Sequence, residues 1–197
     1  MKKHVILLLS VVLFAFSCER TNNGTSKDEK ETKADVVKKE MDIIQDSVNT
    51  AWTKMIADDD QKFKDIKRLL DEISYTDKYN VVMHDSLVKK IDYVKSKRFD
   101  ETIDLNAMDA YDAITDQFIL EVLKFKEKTP GIEQHPLADE LVNDINHANS
   151  PEHVVQLRKN YDNWAKRYNA YLKNNRKQLE KLGEPYASLK EKAEIIR

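Results

Sequence analysis

Residues 35–74 read DVVKKEMDIIQDSVNTAWTKMIADDDQKFKDIKRLLDEIS. Val37, Met41, Ile44, Val48, Trp52 and Met55, then Phe63, Ile66, Leu70 and Ile73, recur at steps of three and four, the period of one helical face. Neither proline nor glycine interrupts the chain between residues 25 and 129. The spacing therefore predicts a helix of about 40 residues, ~60 Å long. The apolar stripe lapses at Asp58-Asp59-Asp60. A carboxylate that faces a core needs a partner, so the run is expected to be exposed, the alternative being pairing with Lys or Arg across a bundle.

Beyond a turn at residues 74–77, Val81, Leu87, Val88, Ile91 and Val94 mark a second helix of about 20 residues. Leu105, Met108, Tyr111, Phe118, Val122 and Phe125 mark a third. Lys124, Lys126 and Lys128 suit its C-terminal dipole, and Thr129-Pro130-Gly131 stops it. A short helix through Leu137, Leu141 and Ile145 follows. Ser150-Pro151-Glu152 then opens a long last helix, with a capping hydroxyl ahead of proline at the first helical position. Its face carries Val154, Leu157, Tyr161, Trp164, Tyr168, Tyr171 or Leu172, Leu179 and Leu182, and Gly183 and Pro185 end it. Tyr186, Leu189, Ala193 and Ile196 form a final amphipathic segment.

Long elements with short joints predict an all-α fold: an antiparallel four-helix bundle, coiled-coil-like in its packing, with a long first helix and short extra helices. Setting residue 74 against residue 151 puts Trp52 level with Lys173 and Ile44 with Lys181. The first helix then overhangs from Val37 to Ile44. The segment from Tyr186 to Ile196 must fold back over Val37 and Met41, which brings the basic C-terminal stretch beside the chain's N-terminal tether.

That tether is read from the start of the chain. Met1-Lys2-Lys3-His4 precedes a twelve-residue apolar run, Val5 to Phe16, and then Ser17-Cys18. The run is too short to span a bilayer, and the layout is that of a lipoprotein signal peptide over residues 1–17. Cys18 is then the lipidated first residue of the mature protein, carrying palmitate-type acyl chains. Ala15 and Phe16 stand where such signals usually have a small residue preceded by Leu, so ordinary signal-peptidase cleavage is the alternative. Residues 18–34, with no bulky apolar side chain, are a disordered tether, and residues 35–197 the bundle domain. The protein is expected at the cell membrane or outer membrane with its bulk outside the cytoplasm. Glu19 rather than Asp after the cysteine favours the outer membrane.

Without residues 1–17 the chain holds 31 basic and 35 acidic residues, which is not the balance of a nucleic-acid binder. The charge is lopsided, with thirteen acids and three bases in residues 99–152 against four acids and nine bases in residues 166–197. The single cysteine excludes an internal disulfide. No glycine-rich phosphate loop, Gly-x-Ser-x-Gly elbow, His-Glu-x-x-His or Glu-x-x-His pair occurs, so no catalytic, cofactor or metal site is expected. An enzyme would need two buried carboxylates, or a His–carboxylate pair, in a cleft. His147 and His153, divided by Ser150-Pro151, do not share a helical face. His84 is expected as a satisfied or half-exposed core histidine, and Asp109, Asp112 and Asp116 as a solvated face. The aromatic stripe Trp52, Tyr161, Trp164, Tyr168 and Tyr171 reads as core, with a ligand pocket as the alternative.

Arg158-x-x-Tyr161, Tyr168-Asn169 and Leu172, together with Glu127-x-x-Pro130-x-Ile132 and Ala51-Trp52 with Met55, resemble motifs of the LemA family. These are membrane-anchored bacterial helical-bundle proteins, and the likeness spans about residues 49–182. It departs at Asp162, where the family has Asn, at Asn174-Asn175, where a Phe-Pro step is missing, and at the N-terminus, where the family has a membrane helix. The resemblance implies a four-helix bundle outside the cytoplasmic membrane and no catalytic residue. The expected function is a lipid-anchored, non-enzymatic binding or scaffolding module for another envelope protein. The alternative is a carrier of a small apolar ligand or lipid in a pocket near Trp52 and Tyr168.

Overall fold

The computed structural model describes residues 32–102 and 104–195, and among them lie five α-helices and no strand. The residues read as a signal peptide, Cys18 and all but the end of the expected tether lie outside the described residues. Helix α1 (Lys33–Ser74) begins inside the expected tether. Thr32 starts it with a capping box: Thr32 Oγ1 accepts from the Asp35 N–H at 3.2 Å, and the Asp35 carboxylate accepts from the Thr32 N–H at 3.0 Å. Helix α2 (Val81–Lys95) is shorter than expected, 15 residues. The following loop turns Phe99 inward, its ring 6.0 Å from Trp52 and 5.8 Å from Tyr111. Helices α3 (Leu105–Glu127), α4 (Pro136–Ala148) and α5 (Pro151–Lys181) follow. None of these helices is long and apolar enough to cross a membrane.

Helix α1 is the spine, packed against each of the other four. Along it, Glu72 meets His135, Asp58 meets His153, Trp52 packs on Tyr161 and the Val37 carbonyl accepts from Tyr171. Numbers fall along α1 as they rise through α4 and α5, so these last two run opposite to it as one broken limb. This corrects the expected register. Helix α4 occupies the level of the last turns of α1, which pushes α5 toward the start of α1. Trp52 consequently lies beside Tyr161, rings 5.6 Å apart, rather than level with Lys173. Helix α5 continues to Lys181 past the Tyr171–Val37 contact, so the expected overhang of α1 is absent.

The buried apolar side chains form two clusters along the spine. One spans Phe63 to Ile73 with side chains from α2, α3 and α4, and the other spans Val37 to Met55 with the α5 face and Met108. At ~1.5–3 kcal/mol for each large apolar side chain removed from water, these faces supply the main drive for packing.

The C-terminal segment folds back over the second cluster, leaving Val37 and Met41 only 5% and 0% exposed. It is one 3₁₀ turn at Tyr186–Ser188 followed by irregular chain. Side chains at every seventh position of α5 hold its backbone. The Asn169 amide donates to the Lys192 carbonyl and accepts from the Lys192 N–H, both at 2.8 Å. Arg176 donates to the Leu189 carbonyl at 2.9 Å, and Asp162 accepts from the Ile195 N–H at 2.6 Å. Residues seven apart share a helix face, so the three form a ladder along the strap.

Candidate functional site: a charged layer at the helix break

Pro151 cannot donate the bond that would extend α4 into α5, and Ser150 Oγ instead caps α5 by accepting from the His153 N–H at 3.3 Å. The limb breaks at the level where the α1 stripe lapses, between Met55 and Phe63. Two interruptions thus face each other, and the gap between the apolar clusters is filled by charge. A cleft of about 280 Å³ opens there, its polar wall built from Asp58, Asp59, Lys62, Arg98, Asp112 and Arg158. Tyr111, Thr115, Asp116 and Asn149 line it too, and Met55, Ile56, Phe99, Val154, Val155 and Leu157 give it an apolar wall.

The expected exposure of Asp58-Asp59-Asp60 is corrected by this layer, because all three are partly buried and paired. Arg98, from the loop after α2, lies 2.6 Å from Asp59 and 2.9 Å from Asp60, while Lys95 reaches Asp60 at 3.1 Å. Lys62 lies 3.0 Å from Asp59, and Tyr111 donates to the same carboxylate. The Arg98 bond holds the Asp60 carboxyl below the usual carboxylate range, more strongly than burial raises it. Burial pulls Arg98 down, but bonds to Asp60 and Tyr111 with the Asp59 charge nearby carry it above its ordinary value, so it stays charged. Burial and then Asp59 push the Tyr111 hydroxyl well up, so it remains a neutral donor.

Asp109 and Asp116 are exposed as expected, whereas Asp112 departs from the expected solvated face and is partly buried. Arg158 lies 2.7 Å from Asp112, and Asn149 donates to Asp116 at 2.8 Å. His147 and His153 lie on separate helices but in contact, ring centroids 4.9 Å apart, because the break folds one toward the other. His153 Nε2 is 2.9 Å from Asp58 Oδ1. The His–carboxylate pair that an enzyme would need therefore stands beside the cleft, though among the described residues neither serine nor cysteine lines it. Among the described residues no group of three or more His, Cys, Asp or Glu is placed to hold a metal.

The aromatic stripe is packed rather than open. Tyr161 and Tyr168 are 2% and 1% exposed, while Trp52, Trp164 and Tyr171 are half-buried against the same cluster. Burial first, then nearby acids, push Tyr161 up to about 12, and burial with the Glu40 bond does the same to Tyr171. The cleft lies one level along the spine from the Trp52–Tyr168 region where a pocket was the alternative. His84 is partly buried, with Nδ1 3.1 Å from Asp85 and Nε2 buried without a hydrogen-bond partner among the described residues. Lys62, Arg98, Tyr111, Thr115 and Asn149 were not foreseen as site residues. The signal for them was the lapse at 58–60 together with the Ser150-Pro151 break, two features that only the register brings to one level. Comparison with known proteins finds no matching family model, curated protein or solved structure, so the LemA-like reading rests on the residues quoted above.

Proposed function

We propose that this protein is a lipid-anchored, non-enzymatic binding module of the cell envelope, LemA-like in design, that presents the cleft at its helix break to another envelope component. Its scaffold is an antiparallel four-helix bundle in which α4 and α5 count as one limb. The pairs Lys90–Glu121, Lys126–Asp139 and Arg158–Asp112 support that reading by joining neighbouring limbs. Residues 1–17 direct export, and Cys18 carries the lipid. The observation that carries the binding role is the cleft itself. About 280 Å³ of lined space lies where seven charged side chains converge between the two apolar clusters. Burying charge costs stability unless the groups are paired, and a binding role gives a reason to maintain the layer.

Two measurements test the parts separately. Cys18→Ser is expected to abolish labelled fatty-acid incorporation and release the protein from membranes; unchanged retention overturns the anchor. A photoreactive residue at Val155, exposed and lining the cleft, is expected to give a discrete adduct in intact cells, whereas one at exposed Lys64 is not. Indistinguishable products from the two positions overturn the cleft as the binding site.

A further inference from the structure

The cleft carries charge that its own walls leave unmatched. The three cationic side chains lining it are already held, Lys62 by Asp59 at 3.0 Å, Arg98 by Asp59 at 2.6 Å and Arg158 by Asp112 at 2.7 Å. Two of the lining carboxylates are not held in this way. Asp116 accepts from the amide of Asn149 at 2.8 Å, and Asp58 lies 2.9 Å from the imidazole of His153. Neither has a Lys or Arg partner among the described residues. An entering cation meets carboxylates with unused acceptor capacity, whereas an entering anion must displace an existing ion pair.

A second observation is independent of charge. Thr115 is 2% exposed and lines the cleft, yet its Oγ1 has no hydrogen-bond partner among the described residues. Buried hydroxyls in helices usually bond back to a carbonyl one turn earlier, as Thr129 does to Phe125 at 2.8 Å. A buried polar atom without a partner costs stability, and the residue that carries it lines the cleft. Met55, Ile56, Val154, Val155 and Leu157 add apolar lining. At about 280 Å³ the cleft lies just below the ~300 Å³ at which ligand pockets usually begin, which suits a compact molecule better than a lipid.

Resting on the reading of this cleft as the binding site, we propose that it takes a small organic cation: an ammonium or related group on a compact apolar body. The charge pairs with Asp116 and Asp58, an N–H is donated to Thr115 Oγ1, and the body packs on the apolar wall. The probes are cyclohexylmethylammonium and cyclohexanecarboxylate, titrated calorimetrically into the chain from residue 18 carrying Cys18→Ser. The ammonium is expected to bind and the carboxylate not. Asp116→Asn, at an exposed position that leaves the fold intact, is expected to weaken the ammonium by about threefold to tenfold. The isosteric Thr115→Val is expected to weaken it about threefold. Equal binding of the carboxylate, or an unchanged affinity in Asp116→Asn, overturns the cation. If neither probe binds while the Val155 adduct persists in cells, the ligand class fails and the binding site stands. If the adduct is absent as well, both fail.

Discussion

Asn169 does more for this fold than its half-buried position on α5 suggests. Its single amide satisfies both backbone groups of Lys192, a residue with no helix or sheet to supply them. Asn169→Ala removes both bonds, and the expected loss is about 1–3 kcal/mol, read as a lower urea midpoint at unchanged slope. Arg98 is the residue on which the charged layer depends, since it meets Asp59 and Asp60 together with a side chain only 15% exposed. Arg98→Met leaves the Asp59 carboxylate mostly buried, with Lys62 as its one cationic partner and the Tyr111 hydroxyl as a neutral donor. A loss of about 2 kcal/mol is expected in the same urea titration, less than the ~3–5 of a fully buried pair because Asp60 is more open to water. An unchanged midpoint in Arg98→Met sinks the idea that Arg98 is what makes the layer tolerable. Both residues are plain in the sequence, but nothing local distinguishes Asn169 from the neighbouring Asn174 or Asn175.

The strap formed by residues 186–195 has no regular secondary structure beyond one turn, yet it closes the second apolar cluster. Truncation after Gly183 removes Tyr186, Leu189, Ala193 and Ile195 from Val37, Met41 and the α5 face. The expected result is a lower melting temperature and increased binding of a hydrophobic dye, with far-ultraviolet helical signal per molecule nearly unchanged. A large loss of helix would show that the strap holds α5 folded rather than covering it. The strap's apolar residues were legible as amphipathic, and its return was expected, although from an overhang of α1 that the structure lacks. Its irregular backbone was not legible. Asp162, Asn169 and Arg176 take the hydrogen-bonding role that a sheet or helix would fill, and their partners are 33, 23 and 13 residues away in the chain.

The whole molecule is held by apolar clusters on both sides of an ionic layer, and its pH response follows from that. Asp60 titrates below 3.8 in the folded state because of Arg98, so its contribution is complete above the unfolded value and lost as pH falls through the folded one. Tyr161 and Tyr171, raised to about 12 from 10.0, keep their protons in the folded state while the unfolded chain releases them. Their effect on stability is nil below pH ~10 and unfavourable as pH climbs from there toward ~12. Denaturant midpoints taken across pH are therefore expected to form a plateau that falls at both ends. Asp60→Asn should shrink the acid-side fall and leave the alkaline side in place. An acid limb unchanged in that variant assigns the fall to other carboxylates.

The existence and order of the helices, the Ser150 cap and the two breaks at Pro130-Gly131 and Ser150-Pro151 were determined by the sequence alone, because each depends on residues within a turn or two of one another. The three-and-four spacing of α1 identified its buried face for the same reason. Which residue of α5 meets which residue of α1 was decided only in the tertiary structure. That register depends on α4 packing alongside the spine and displacing α5 by its own length, a competition among distant surfaces that no local pattern encodes. The charged layer follows from that register. Asp58-Asp59-Asp60 looked like a solvated run until Arg98, Lys95 and His153 were brought to the same level, and then pairing, not water, became the lower-energy way to satisfy the carboxylates.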